Sequence, residues 1–160
     1  MPRNSADYEE DFYAWTVEQA RLLRSGEFSS IDAANIAEEI ESLGKSDRRE
    51  LRSQIRRILR HLFKLDASPA ADPRAGWRTT IRDARVEIED VLRDSPSLRR
   101  EVEDFVSEEA GRTAKSAAAA FEQHGDAVRA RLDKGGFTSE QVLVDWFPEA
   151  VDGAAHEAHR

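Results

Sequence analysis

The sequence predicts an all-α, single-domain bundle of five or six helices with one long central helix. Three observations carry that prediction. Apolar residues recur at three- and four-residue spacing through most of the chain. β-branched residues are sparse and never alternate, so no strand is expected. Gly, Pro, Asp and Ser signals of the kind that start and stop helices stand between the periodic stretches. A chain of 160 residues fits one domain and is long enough to bury a core without metal or disulfide support. The domain is placed at residues 1–148. Residues 149–160 read as a disordered tail.

The first helix carries Tyr8, Phe12, Trp15, Gln19 and Leu22 on one face. Asp7, Glu9, Glu10 and Asp11 fall in its first turns, where the helix dipole favours acids. Ser25-Gly26 stops it. Asp32 is then a plausible N-cap for a second helix with Ile36, Ile40 and Leu43 as its core face. Gly44 resembles a C-cap, but the phase argues otherwise. Leu51, Ile55, Ile58, Leu62 and Leu65 continue the stripe in register beyond it. One helix from about Asp32 to about Leu65 is the preferred reading; a break at "GKSD" with Ser46 as a new cap is the alternative. A continuous helix would be roughly 50 Å long, and Gly44 would cost it about 1 kcal/mol relative to Ala.

"DASPAADPRAG" (Asp66 to Gly76) is aperiodic and reads as a loop. Trp77, Ile81, Ala84, Ile88 and Val91/Leu92 mark the next helix. Ser95 as N-cap and Pro96 at the first helical position start another, with Leu98, Val102, Phe105 and Val106 on its face. After Val106 the stripe weakens, because Glu109, Arg112 and Ser116 occupy apolar slots. The alanine run still favours helix, ending or kinking at Gly125. A further short helix ends at Gly135-Gly136. "TSEQ" (Thr138 to Gln141) is a capping box, opening a short helix that Pro148 stops.

Composition narrows the function. There is no cysteine, which removes disulfides, thiol catalysis and sulfur-ligated zinc. The N-terminus lacks the apolar core of a secretory signal, and no apolar run approaches the roughly 20 residues of a membrane span. A cytoplasmic protein with no membrane association is expected. The net charge of -8 argues mildly against nonspecific nucleic-acid binding. The charge is uneven, however: acids dominate from Asp7 to Glu41, and bases dominate from Lys45 to Lys64.

Arg49, Arg52, Arg56, Arg60 and Lys64 form a basic stripe, expected on the outer face of the long helix. It is a candidate partner-binding surface for acidic proteins or phosphates. Glu38, Glu39 and Glu41 diverge around the helix, so they make no paired acid/base device. Glu39, His61 and Arg85 each border a core face and form a candidate inner polar cluster. Glu109 is the fourth member. Either the stripe rotates or burial ends early after Phe105, the preferred reading, or a carboxylate faces the interior, as at many functional sites. His124, His156 and His159 have no metal-ligand spacing, and no phosphate-binding loop is present. No cofactor and no metal is expected.

Two stretches, "YEEDFYAWTVEQARLLRSGEFSSIDAANIAEEIESLGKSDRRELRSQIRRILRHLFK" and "GWRTTIRDARVEIEDVLRDSPSL", carry a family resemblance. Trp15 with Gln19, Ala37-Glu38-Glu39-Ile40, Leu43-Gly44, His61-Leu62, Trp77 with Ile81 and Arg85, and Ser95-Pro96-Ser97-Leu98 are its marks. Together they resemble the bacterial domain of unknown function number twenty-nine, from about Ala6 to Pro148. The resemblance implies a small, mostly helical protein and carries over no catalytic residue. The function expected is a non-catalytic binding or interaction protein, in homo-oligomeric form or with a protein partner. Nucleic-acid binding through the basic stripe is one alternative, which the acidity disfavours. An enzyme built on Glu39, His61 and Arg85 is the other.

Overall fold

The computed structural model describes residues 7–149. Among them are six α-helices, three 3₁₀ turns and no strand, so the protein is all-α. The helices are α1 (Phe12–Ser25), α2 (Ala33–Ala67), α3 (Arg74–Asp94), α4 (Val102–Ala120), α5 (Gly125–Asp133) and α6 (Ser139–Leu143). His156, His159 and the expected tail beyond Glu149 lie outside the described residues. The chain divides into two compact units, one ending at Ser46 and one beginning at Asp47.

In the first unit, α1 starts one turn later than the acidic run suggests. Asp11 is its cap and accepts from the Ala14 amide, so Asp7, Glu9 and Glu10 precede the helix. Gly26, at φ 76°, ends it in the left-handed conformation that glycine adopts without strain. Trp15, Gln19 and Leu22 are its buried residues. Asp32 caps α2 as expected, accepting from the Asn35 amide. α2 runs unbroken through Gly44, so the phase argument holds and the break at "GKSD" is absent. Burial does not follow the phase along its whole length. Ile40 and Leu43, expected in the core, are 63% and 69% exposed.

The second unit holds the apolar core. Leu51, Ile55, Ile58, Leu59, Leu62, Phe63 and Leu65 of α2 pack with Ile81, Ala84, Ile88 and Leu92 of α3, and with Val102, Phe105 and Val106 of α4. Phe137, Val128 and Val142 close it from the C-terminal segments. Phe63 and Phe137 meet edge-on at 5.0 Å between ring centres. Ser95-Pro96 opens a 3₁₀ turn, Pro96–Glu101, rather than α4 itself. Ser95 offers no side-chain cap there, because its hydroxyl donates to Asp47 instead. Past Val106, α4 does not rotate out of the core. Glu109, Ala110, Thr113, Ala114 and Ala117 continue its buried face with small residues. The capping box at Thr138 and Gln141 opens α6 as expected. That helix ends at Leu143, ahead of Trp146-Phe147-Pro148.

Candidate functional site

The most unusual side chain of the second unit is Glu109, fully buried at mid-face on α4. The preferred expectation of a rotated stripe or an early end to burial is therefore wrong, and the interior carboxylate is what forms. Two arginines one turn apart on α2 neutralise it. Arg52 donates through Nε to Glu109 Oε1 at 2.5 Å; Arg56 donates through Nε to Oε2 at 2.8 Å and through Nη2 to Oε1 at 3.3 Å. Arg52 also pairs with Glu108 at 2.8 Å. One turn further along, Arg48 pairs with Glu101 at 2.5 Å. Arg48 and Arg52 both lie over the Phe105 ring, at 4.9 and 5.3 Å. α2 and α4 are thus joined by an arginine ladder with one buried rung.

The ladder corrects the placement of the basic stripe. Leu59 and Phe63 are buried along with Leu51, Ile55 and Leu62, so the apolar face of α2 is wider than the sequence stripe and reaches the arginine side. Arg52 and Arg56 stand at its border rather than opposite it. Lys64 lies over Trp77 and Phe121. Arg49, Arg57 and Arg60 stay exposed.

Chemically, Glu109 is held at a pKa of about 2 by the hydrogen bonds of Arg56 and then Arg52, against burial, which pushes it up. It is ionised at neutral pH and both oxygens are engaged. A general base must offer a lone pair to substrate, and this carboxylate has its lone pairs committed to guanidinium groups. The arrangement is a clamp between helices.

Each of the other expected cluster members has partners of its own. Glu39 accepts from the Tyr8 hydroxyl at 2.5 Å, which pushes the phenol up to about 12. His61 is half-buried, and its Nδ1 donates to the Arg57 carbonyl at 2.8 Å. Burial holds its pKa below the usual imidazole range, and the Arg57 bond opposes that shift. Arg85 is spent on backbone: Nε donates to Val142 O at 2.9 Å, and Nη2 to Gln141 O at 2.9 Å and Trp146 O at 2.8 Å. It ties the end of α6 and the following turn to α3.

Sequence reasoning treated Asp32 only as a cap. Its Oδ2 also accepts from Trp15 Nε1 at 3.2 Å and Asn35 Nδ2 at 2.7 Å, while its amide donates to Gln19 Oε1 at 2.7 Å. These groups, with Tyr8, line a polar hollow of about 370 Å³ in the first unit. The Trp15/Gln19 spacing was visible as an amphipathic face, and a polar Gln on that face was the signal for a buried partner. Arg74 has a similar role in the second unit: its Nη1 donates to the Leu65 and Ser68 carbonyls at 2.9 and 3.0 Å, closing the end of α2. Among the described residues, no group of three His, Asp or Glu side chains is placed to hold a metal ion.

Fold and site together define a small all-α protein whose buried charges clamp helix to helix and helix end to helix face. The chain belongs to the family described as Domain of unknown function DUF29, whose model matches residues 8–147. No curated protein matches it, and no solved structure does.

Proposed function

We propose that this protein is a non-catalytic interaction module of the bacterial cytoplasm that pairs with a second copy of itself through its first unit. One observation carries the reading. Phe12, Tyr13, Val17, Leu23, Phe28, Ile40 and Leu43 are exposed large apolar residues within 32 positions of chain, against only Val86 and Val144 among the described residues of the second unit. Exposed apolar surface gathered in one region marks an interaction surface. Charge supports self-pairing. The region from Asp7 to Glu41 is acidic, and the exposed Arg49, Arg57 and Arg60 supply an opposite charge for a partner copy. No helix among the described residues is long and apolar enough to cross a membrane, which is in keeping with a soluble setting.

Sedimentation velocity on the full chain tests this, at low and high salt, with Ile40→Asp and Leu43→Asp beside the parent. A dimer that both substitutions convert to monomer is expected. A parent that stays monomeric at all concentrations and salts removes the self-pairing reading.

A second reading rests on three arginines of α2 whose side chains have no ion-pair partner among the described residues, Arg49, Arg57 and Arg60. Arg57 and Arg60, with Ser53, Gln54 and Arg56, line a hollow of about 280 Å³. They could neutralise phosphates of a nucleic acid, with affinity falling steeply as salt rises. Duplex binding lost in Arg57→Glu/Arg60→Glu supports it; binding unchanged in that variant removes it.

A further inference from the structure

α3 presents Arg78, Arg82 and Arg85 at i, i+4 and i+7, hence on one face. All three guanidinium carbons lie over a single ring, that of Phe147, at 5.5, 5.0 and 5.0 Å from its centre. Three cations are thereby gathered on one aromatic plate. The anionic charge beside them is slight. Asp145 Oδ1 stands 3.7 Å from Arg82 Nε and 3.8 Å from Arg85 Nη1. Both distances exceed a hydrogen bond, and the Asp145 side chain is 75% exposed, so solvent screens it.

The donors show the same shortage independently. Arg85 is 6% exposed, and its Nη1 is buried with no hydrogen-bond partner; Arg78 Nε is buried and unpartnered as well. A buried guanidinium N–H without an acceptor is costly, and native proteins rarely leave one. Rotating Asp145 inward could bring one of its oxygens to Arg82 and Arg85. It would leave Arg78 without an acceptor of its own, and three cations against one carboxylate.

We propose that Arg78, Arg82 and Arg85, over Phe147, form a binding site for a carboxylate ligand. One ligand oxygen takes the place beside Arg82 Nε and Arg85 Nη1 that Asp145 now approaches, and Asp145 is its internal competitor. A planar carboxylate suits this setting because guanidinium forks match it in a two-point contact, and the group already drawn toward the site is a carboxylate. The ligand is either a free small carboxylate or an acidic side chain of a protein. The site lies wholly in the second unit, so it stands or falls independently of self-pairing through the first.

The test is a titration of the full chain, followed by the arginine Nε–H signals in a nitrogen-correlated NMR spectrum. Succinate is the small-carboxylate probe, and an acidic tetrapeptide with an amidated C-terminus is the protein-like probe. Sodium chloride at matched ionic strength is the control. Saturable shifts with either carboxylate beyond those of chloride are expected. Binding should tighten severalfold in Asp145→Asn, which removes the competitor, and weaken about tenfold or more in Arg82→Ala. Arg82 is exposed, so its loss leaves the fold intact, whereas Arg85 anchors α6 and is left in place. Tighter binding of the peptide assigns the site to a protein partner, and tighter binding of succinate to a free small molecule. Shifts no larger than those of chloride, or shifts indifferent to both substitutions, overturn the proposal.

Discussion

α2 passes through both units, and its two halves differ. From Leu51 onward its apolar stripe is buried to the last side chain, with Leu51, Ile55, Ile58 and Leu62 all at 0% exposure. Before Ser46 the same stripe in the same phase holds Ile40 and Leu43 in the open. The helix is equally regular in both halves. The difference lies in what covers it: α3 and α4 in the second unit, and in the first α1, whose Trp15 and Gln19 bond Asp32 at the very start of α2. Periodicity therefore specifies an apolar face and not its occupant.

The contrast is most directly broken by truncating one residue in each half. Phe63→Ala should cost about 3–5 kcal/mol, the range for a buried aromatic with surrounding structure that relaxes only partly. Leu43→Ala should stay within about 0.5 kcal/mol in dilute monomeric protein, as for an exposed site. Urea unfolding measures both. Equal losses would mean that Leu43 is covered in solution.

Next in size is the buried rung of the second unit. Glu109→Gln removes the charge that two arginines share and should cost about 3 kcal/mol or more. Its pH dependence has a definite sign. An unfolded glutamate takes up its proton near 4.5 and the native one near 2. The stabilisation is complete above 4.5 and is lost as pH falls toward 2. Acid unfolding of the parent should be steep across that window and flatter in Glu109→Gln. An unchanged acid limb would show that Glu109 is not ionised in the fold.

These two residues also show what was legible in the sequence. The unbroken α2 and its stripe from Leu51 to Leu65 follow from spacing, because turns are local and phase carries across a glycine, whereas Phe63 lies off that stripe. Glu109 was visible as a break in the stripe, but its meaning was not. The residues that continue the buried face after it are Ala110, Thr113, Ala114 and Ala117, too small or too polar to register as an apolar stripe. Arg52 and Arg56 fall on an outer face only if the inner one is drawn without Leu59 and Phe63, which are both buried. The partners of Glu39, His61 and Arg85 are illegible for another reason. Each borders a core face, but partners across elements leave no spacing signature, and bonds from Arg85 to backbone carbonyls leave none in side-chain identity either.

In the first unit the corresponding anchor is Asp32, which is half-exposed and holds Trp15, Asn35 and the start of α2. Asp32→Ala should cost about 1–2 kcal/mol, the upper part of the range for a helix cap. The loss should be confined to the first unit. Amide exchange should quicken in α1 and the first turns of α2, while protection in α3 and α4 stays as it was. Exchange that quickens in both units together would show that they unfold as one.

The smallest effect sharpens the comparison most, because it falls at the seam between the halves. Gly44 lies in the interior of α2, and a methyl added there meets nothing within 4 Å. Its φ is not among the positive ones, which belong to Gly26, Gly135 and Gly136. Gly44→Ala should therefore stabilise the protein by up to about 1 kcal/mol through helix propensity and a less flexible unfolded chain. Thermal unfolding with circular dichroism reads both the gain and the helix content. A loss would mean that the helix stops at Gly44 in solution, in a conformation alanine resists. The exposed stripe of Ile40 and Leu43 would then no longer be the in-phase continuation of the buried one.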